Sequence, residues 1–521
     1  MKRLVALNIG IEIWWNKHAE TGAPILSYAH PDSFVKVIPD IEWFDRDYSF
    51  VTLNAAPEQP VMPRVLELMS RIPVPAMRHY VPPKNSIAVV ALGIEDSFMV
   101  FGFKGRRTLY SYVSSDVDDS VDIVFSRNIT QCDHLVRSFR LHNVTHGYEC
   151  IDCLNSAFLF DCKNCKNCFG ASNQRNKQYL WFNEQLSKDE WERRRSEVDL
   201  GCRSQVKRHA DAFDRLLLED SVWPESFNEA AIDSIGDYLR NCTDCRYCFL
   251  VANNSVHNFW CAWGTNANGN AFCAGPLNAT DCYMSNVPGY CTKVKFSWKC
   301  ARSDTVEYSI NCFNCKNCFG CVGLQRKEFY IFNRPYPEND YWKIVDEIKS
   351  AMLDRGEYGR FFPLSFASAH TKLGGAVINT LFNPDDLVRW GATNFEPCSD
   401  GACGFEEKDI TSMRKREEIP DCIAQMDDGW IGASIYDADA KRRFSFLKPE
   451  LEFYRQERVP APTTHFTTRI SNLYYVMQSP VFEERACNTC GMKFTTTVNV
   501  TYPDRKILCR ACYLTFIESR S

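Results

Sequence analysis

The side chains most able to do chemistry in this 521-residue sequence are its 26 cysteines, many of them spaced as CxxC. The C-terminal set is the most specific. Cys487 and Cys490 are followed, after eighteen residues, by Cys509 and Cys512. Two CxxC turns at this separation have the ligand spacing of a zinc ribbon. The stretch between them alternates like a hairpin around Pro503 and Asp504, returning the second pair of thiolates to face the first. Four thiolates close a tetrahedral shell and leave no open position, so such a site contributes folding energy, not catalysis. Disulfide or redox use of the same pairs is the alternative.

A second group of cysteines recurs every three residues: Cys162, Cys165 and Cys168; Cys242, Cys245 and Cys248; Cys312, Cys315, Cys318 and Cys321. In tight turns such neighbours can face one metal, and the interleaved Asn164, Asn167, Asn314 and Asn317 tolerate the left-handed backbone those turns need. Each cluster is therefore a candidate zinc site, completed from adjacent segments. The competing reading makes these cysteines small buried hydrophobes, and the cysteine count alone also admits iron–sulfur. His142 and His146 precede Cys150 at a four-residue spacing, but the local sequence is not helical. Cys398, Cys403 and Cys422 suggest at most a partial site. No Walker loop, GxGxxG after a strand, HExxH, GxSxG or zinc-deaminase signature occurs. Trp260, Trp263, Trp298 and Trp342 could offer stacking platforms for a sugar or base, or simply pack the core.

The elements that would position these groups are duplicated. Residues 161–170 and 311–320 agree at eight of ten positions, and Cys132, Cys150, Cys162, Cys165 and Cys168 each match a cysteine 150 residues on. Five cysteines in register argue for a true internal repeat. Each unit leads into a helix: Ser187 and Glu190 make a capping-box pattern, and the helical spacing after residue 336 stops at Gly356. Nine-residue intervals, as in Cys273, Cys282, Cys291 and Cys300, suggest a strand-turn unit of nine residues, two per coil of a β-solenoid. Strand-like runs at 86–94, 97–103 and 107–113 precede the repeats.

The net charge of −5 is unevenly spread, because residues 441–521 carry thirteen Lys and Arg against seven Asp and Glu. A basic tail suits nucleic acid or an acidic partner, or is simply a solvated surface that happens to be basic. No run of eighteen apolar residues occurs. Lys2 and Arg3 precede an apolar stretch that Asn8, Glu12 and two tryptophans interrupt, so a buried strand and an intracellular protein are expected there.

The segments CKNCFGCVGLQRKEFYIFN (315–333), GEYGRFFP (356–363), NCKNCFGASNQRNKQYLWFNEQLSKDEW (164–191), FLKPELEFYRQERVPAP (446–462) and the C-terminal ribbon carry a resemblance. Together they resemble a family of cysteine-rich zinc-ribbon and repeat proteins of bacterial candidate phyla and large tailed phages. The resemblance implies no activity. Relatives carry further cysteine-based ribbons near the N-terminus and before the FLKPELEFYR segment; here those cysteines are missing or reduced, so those parts must fold by ordinary core packing.

The expected fold is therefore α+β and mainly β. It comprises a strand-rich domain (1–125), two cysteine-rich β-solenoid-like repeats each ending in a helix (126–235 and 236–356), a mixed region (357–480) and a zinc ribbon (481–521). The expected cofactor is Zn2+, two or more per chain. The expected role is a zinc-stabilised structural or binding protein with a protein partner or assembly, including a phage virion component. It would be cytoplasmic on synthesis, without membrane insertion. The alternatives are nucleic-acid binding through the basic ribbon and a glycan-acting enzyme on a β-solenoid.

Overall fold

In a computed structural model, residues 13–520 are described except 80, 287–288, 369–386, 388, 393–410 and 441. The chain is α+β with strand predominating. Of the strand expected in residues 1–17, Trp14–Lys17 is a strand paired antiparallel with Pro24–Ser27; the part before residue 13, and Cys398 and Cys403, lie outside the described residues.

A three-residue rule organises most of the strand content. From Asp96 to Phe182 nearly every third residue has φ near +50°, including Asp122, His134, His146, Phe158 and Asn164. Such a left-handed residue turns the chain a corner. Four three-residue sides then close a coil of twelve residues, and the coils pair in parallel at that offset. Val121, Asp133, Thr145, Ala157, Phe169 and Trp181 follow one another up a single ladder. This ladder belongs to a ten-stranded sheet running from Arg78–His79 to Glu184–Gln185. A second parallel series at the same offset runs through residues 256–325, for example Ala271 to Tyr283, Lys295 and Glu307. The boundary expected at residue 125 thus falls inside the first stack, where Val121 pairs with Asp133.

The expected unit of nine residues, two per coil, is replaced by one of twelve, and the hydrogen bonds explain the sulfur spacing. Cys162 donates its thiol to the carbonyls of Phe160 and Ala171, both at 3.4 Å. Cys321 does the same with Phe319 and Tyr330. Each inward thiol therefore meets the residue nine positions on, one side short of a full coil. Serine fills the same slot, as Ser138 does with Val136 and Gly147. In both stacks the inward positions recur every third residue and are almost all small or aliphatic: Cys150, Cys153, Leu159, Cys162 and Ala171 in the first; Cys273, Ala279, Val294 and Cys312 in the second. With only four side chains per coil the interior favours small groups; Tyr330, one coil on from Cys318 at the end of the second stack, is an aromatic packed against it. Near Asn253 and Asn254, both left-handed, one extra residue is absorbed by a bulge, and Cys242 pairs with Ser255.

The two stacks close alike. Gly170 and Gly320 have φ of +67° and +65°, and an added Cβ would stand 2.7 Å from the Phe182 ring and 2.5 Å from the Phe332 ring. Asn183 and Asn333 each accept a backbone N–H from Ser172 and Val322 at 2.9 Å. Gly320→Ala combines a left-handed penalty with overpacking, and should lower stability by about 2–4 kcal/mol in urea unfolding; a change below about 0.5 kcal/mol, the scale of a neutral surface substitution, would refute this view of the end turn.

Helices follow both closures. Ser187 caps Lys188–Ser196 by accepting the Glu190 N–H, while the Glu190 carboxylate turns to Arg193 and Arg194 instead of completing the box. Glu338–Asp354 ends just before left-handed Gly356, and buries Tyr341, Val345, Ile348 and Met352 against the second stack. A helix not foreseen, Arg203–Glu219, packs Phe213 and Leu217 on Phe158 and Phe169 of the first stack. Outer faces are covered by the rest of the chain. Trp43, Val65 and Leu68 sit on Phe319 and Phe332 of the second stack. Ile423, Trp430, Tyr454 and Tyr474 sit on Tyr110, Tyr112 and Phe125 of the first.

Candidate metal centre and the cleft beside it

The ribbon builds its site from two turns and a hairpin. Gln478–Ala486 pairs antiparallel with Lys493–Asn499, and the chain returns through Ile507–Leu508 into the helix Arg510–Glu518, which Cys509 caps. The ligand atoms of Cys487, Cys490, Cys509 and Cys512 all lie within 4.8 Å of one another. Cys490 Sγ and Cys509 Sγ are 3.7 Å apart, the edge of a tetrahedral shell with metal–sulfur bonds of about 2.3 Å. Burial opposes charge on Cys487, but N–H groups of Cys490, Cys509 and Thr489 outweigh it and bring the thiol down to about 6. The donor set fits a closed four-thiolate metal ion.

The cysteines of the two stacks are arranged differently. Cys162, Cys165, Cys168, Cys242, Cys245, Cys248, Cys312, Cys315, Cys318 and Cys321 are all buried and point into the narrow interiors. Thiols meet edge to edge, as Cys165 does with Cys153, Cys162 and Cys168. Yet among the described residues no three of them come mutually within 4.8 Å. A wall that contributes one inward side chain per three residues spreads sulfurs into a ladder, not around a point. Burial also pushes Cys132 and Cys282 up to about 12, which favours the neutral thiol. Cys422, set apart by its sequence as part of a partial site, forms a disulfide with Cys202, tying the helix after the first stack to the C-terminal region.

The ribbon is fastened to both stacks. Ile507 and Leu508 pair with Trp223 and Pro224. Tyr513 hydrogen-bonds Asp161 and accepts from Arg175 in the first stack. Thr497 donates to Asp237 at the start of the second (2.5 Å). Beneath the ribbon helix these parts enclose a cleft of about 480 Å³. No local sequence signal marks it, because its walls come from residues 113–175, 224–265 and 510–517.

The cleft is cationic and partly aromatic. Arg127, Arg137, Arg140, Arg240 and Arg510 line it together with Phe139, Tyr238 and Trp263. Arg140 pairs with Asp152, whereas Arg127 and Arg240 make no ion pair with any described residue. Partial desolvation in the cleft first, then Arg240 and Arg137, pull the guanidinium of Arg127, an exposed residue, below its usual range. Arg137 lies 4.1 Å over the Tyr238 ring, and its buried Nε, like the Trp263 indole N–H, finds no acceptor among the described residues. Glu149 receives the Tyr238 hydroxyl at 2.7 Å and lies 3.9 Å from Arg137. Burial pushes its carboxyl up to about 8, outweighing Arg137 and the hydroxyl. Of the four tryptophans singled out in the sequence, Trp263 reaches the cleft, Trp298 is buried, Trp260 stacks on Tyr247 and Trp342 is partly exposed beside Phe329. No family model matches the chain, and no curated protein does.

Proposed function

We propose that this chain is a zinc-clamped binding protein that receives a phosphate-bearing ligand, a nucleotide or a nucleic-acid strand, in the cleft between its two stacks. The observation that carries this reading is a pair of cleft guanidinium groups without an ion-pair partner among the described residues, Arg127 and Arg240, beside two buried donors without acceptors there, Arg137 Nε and the Trp263 N–H. Buried donors are ordinarily satisfied. Guanidinium groups suit phosphate oxygens, and aromatic faces suit bases. A volume of about 480 Å³ is in the range of small-ligand sites.

The metal in the ribbon is read as Zn2+, since four cysteines in a tetrahedral arrangement suit it best. Its role is structural. The two ladders are read as duplicated β-solenoid repeats, supported by their shared offset and closures. The resemblance to repeat proteins of candidate phyla and tailed phages supports an additional protein partner, such as a virion assembly. No helix among the described residues is long and apolar enough to cross a membrane.

The test is fluorescence anisotropy with a short labelled single strand, competed by free nucleotide, across a salt series. Saturable one-to-one binding that weakens with salt is expected; absence of binding at low salt would refute the reading. Glu149 adds a signature. Below about pH 8 its carboxyl is neutral and the cleft more cationic, so affinity should fall from pH 7 to pH 9. Glu149→Gln should flatten that dependence, and an undiminished slope in the variant would assign it elsewhere.

A further inference from the structure

One corner away from the cleft residues Phe125, Arg137, Glu149 and Asp161, the left-handed residues Asp122, His134, His146 and Phe158 of the first stack succeed one another at twelve-residue steps. The His134 and His146 rings stack at 4.4 Å with 5° between planes, and Phe158 continues the stack at 4.9 Å from His146. His146 therefore meets His134, one coil earlier; the sequence, whose four-residue spacing of His142 and His146 lies on a strand and not a helix, did not point to this pair. Asp133, beside His134, places Oδ2 3.0 Å from His134 Nδ1. One ligand atom each from Asp133, His134 and His146 lies within 4.8 Å of the other two.

We propose that Asp133, His134 and His146 form a second metal site, a two-histidine, one-carboxylate set for a first-row divalent transition metal such as iron, cobalt or zinc. Three features support it. His146 is only 8% exposed, yet its Nδ1 has no hydrogen-bond partner among the described residues, as a nitrogen that takes a metal would be left in a metal-free chain. The 3.0 Å between Asp133 Oδ2 and His134 Nδ1 is the edge between cis ligands each about 2.1 Å from one ion. The other nitrogen of His134 faces Asp122 at 3.7 Å, and Asp122 is held by Arg469 Nε at 2.8 Å. A carboxylate behind a ligating imidazole fixes its tautomer and orientation. Imidazole with carboxylate selects this metal class over calcium or magnesium. Three protein ligands leave coordination positions open, unlike the ribbon shell, and His134, with its side chain 30% exposed, puts the site within reach of solvent.

The site stands independently of the cleft. Its test is titration of the full-length, zinc-loaded protein with cobalt(II), following visible absorption and metal content. One further cobalt per chain is expected, with weak visible bands and no thiolate charge-transfer band. His146→Ala and His134→Ala should each reduce that equivalent to none while the ribbon zinc stays, and His142→Ala should leave it intact. No added cobalt, a cobalt with thiolate charge transfer, or binding that survives both substitutions would overturn the proposal. Should either variant fold poorly, the wild-type spectrum alone decides, since only nitrogen and oxygen ligation agrees with the site.

Discussion

Cys490→Ser is expected to remove one metal equivalent and release the C-terminal clamp. Cys490 is the exposed member of the four, so replacing sulfur by oxygen disturbs packing little and ligation directly. Structural zinc supplies on the order of 10 kcal/mol to small ribbons. Residues 478–518 have few buried apolar groups of their own, chiefly Cys487, Tyr502, Ile507, Leu508, Cys509 and Ile517. Without the ion the hairpin has little to hold it, and the bonds from Thr497 to Asp237 and from Tyr513 to Asp161 and Arg175 should be lost with it. Limited proteolysis should cut the variant, or chelator-treated wild type, within residues 478–521, and ligand affinity should fall because Arg510 and Tyr513 line the cleft. A variant that keeps its metal content and proteolytic resistance would show that the clamp does not depend on metal.

Arg127→Gln together with Arg240→Gln should weaken binding of a phosphate-bearing ligand by about a hundredfold, since a hydrogen bond to a charged group contributes about 1.5–3 kcal/mol. The same pair should leave thermal stability unchanged or slightly raised, because Arg127 faces Arg240 and Arg137 without an ion-pair partner. Residues kept only for structure would show the reverse: lower stability and no change in affinity. Anisotropy and a thermal melt on the same preparations separate the two. Unchanged affinity would move the binding site away from these arginines.

What could be read from the sequence was what is local. The ribbon has all four ligands within twenty-six residues, and the structure gathers their thiols; its hairpin, expected around Pro503 and Asp504, instead joins Gln478–Ala486 to Lys493–Asn499 across the Cys487–Cys490 turn. The helix Glu338–Asp354 follows its apolar spacing and stops at Gly356 as expected. The stacks were harder to read. Their period of three is carried by inward residues as different as Cys150, Leu159, Ser138 and Ala171, so neither helical nor alternating hydrophobicity shows it. Corners fall on Phe158, Tyr110 and Val113 as well as on asparagine and aspartate, so left-handed turns could not be read from residue type. The nine-residue rows of sulfur were real, but they record a thiol reaching the carbonyl nine residues on, not the height of a coil. The cleft had no local signature: Arg127, Arg240 and Arg510 meet only after the stacks and ribbon dock.

Photo-cross-linking tests the central claim most directly. A short single strand carrying one photoreactive base would be irradiated with the full-length protein, and the adducts mapped by mass spectrometry. The account predicts adducts on Phe139, Tyr238 or Trp263, suppressed by excess free nucleotide and absent after Cys490→Ser. Adducts confined to residues outside the cleft, or none at ligand concentrations that saturate the anisotropy signal, would contradict it.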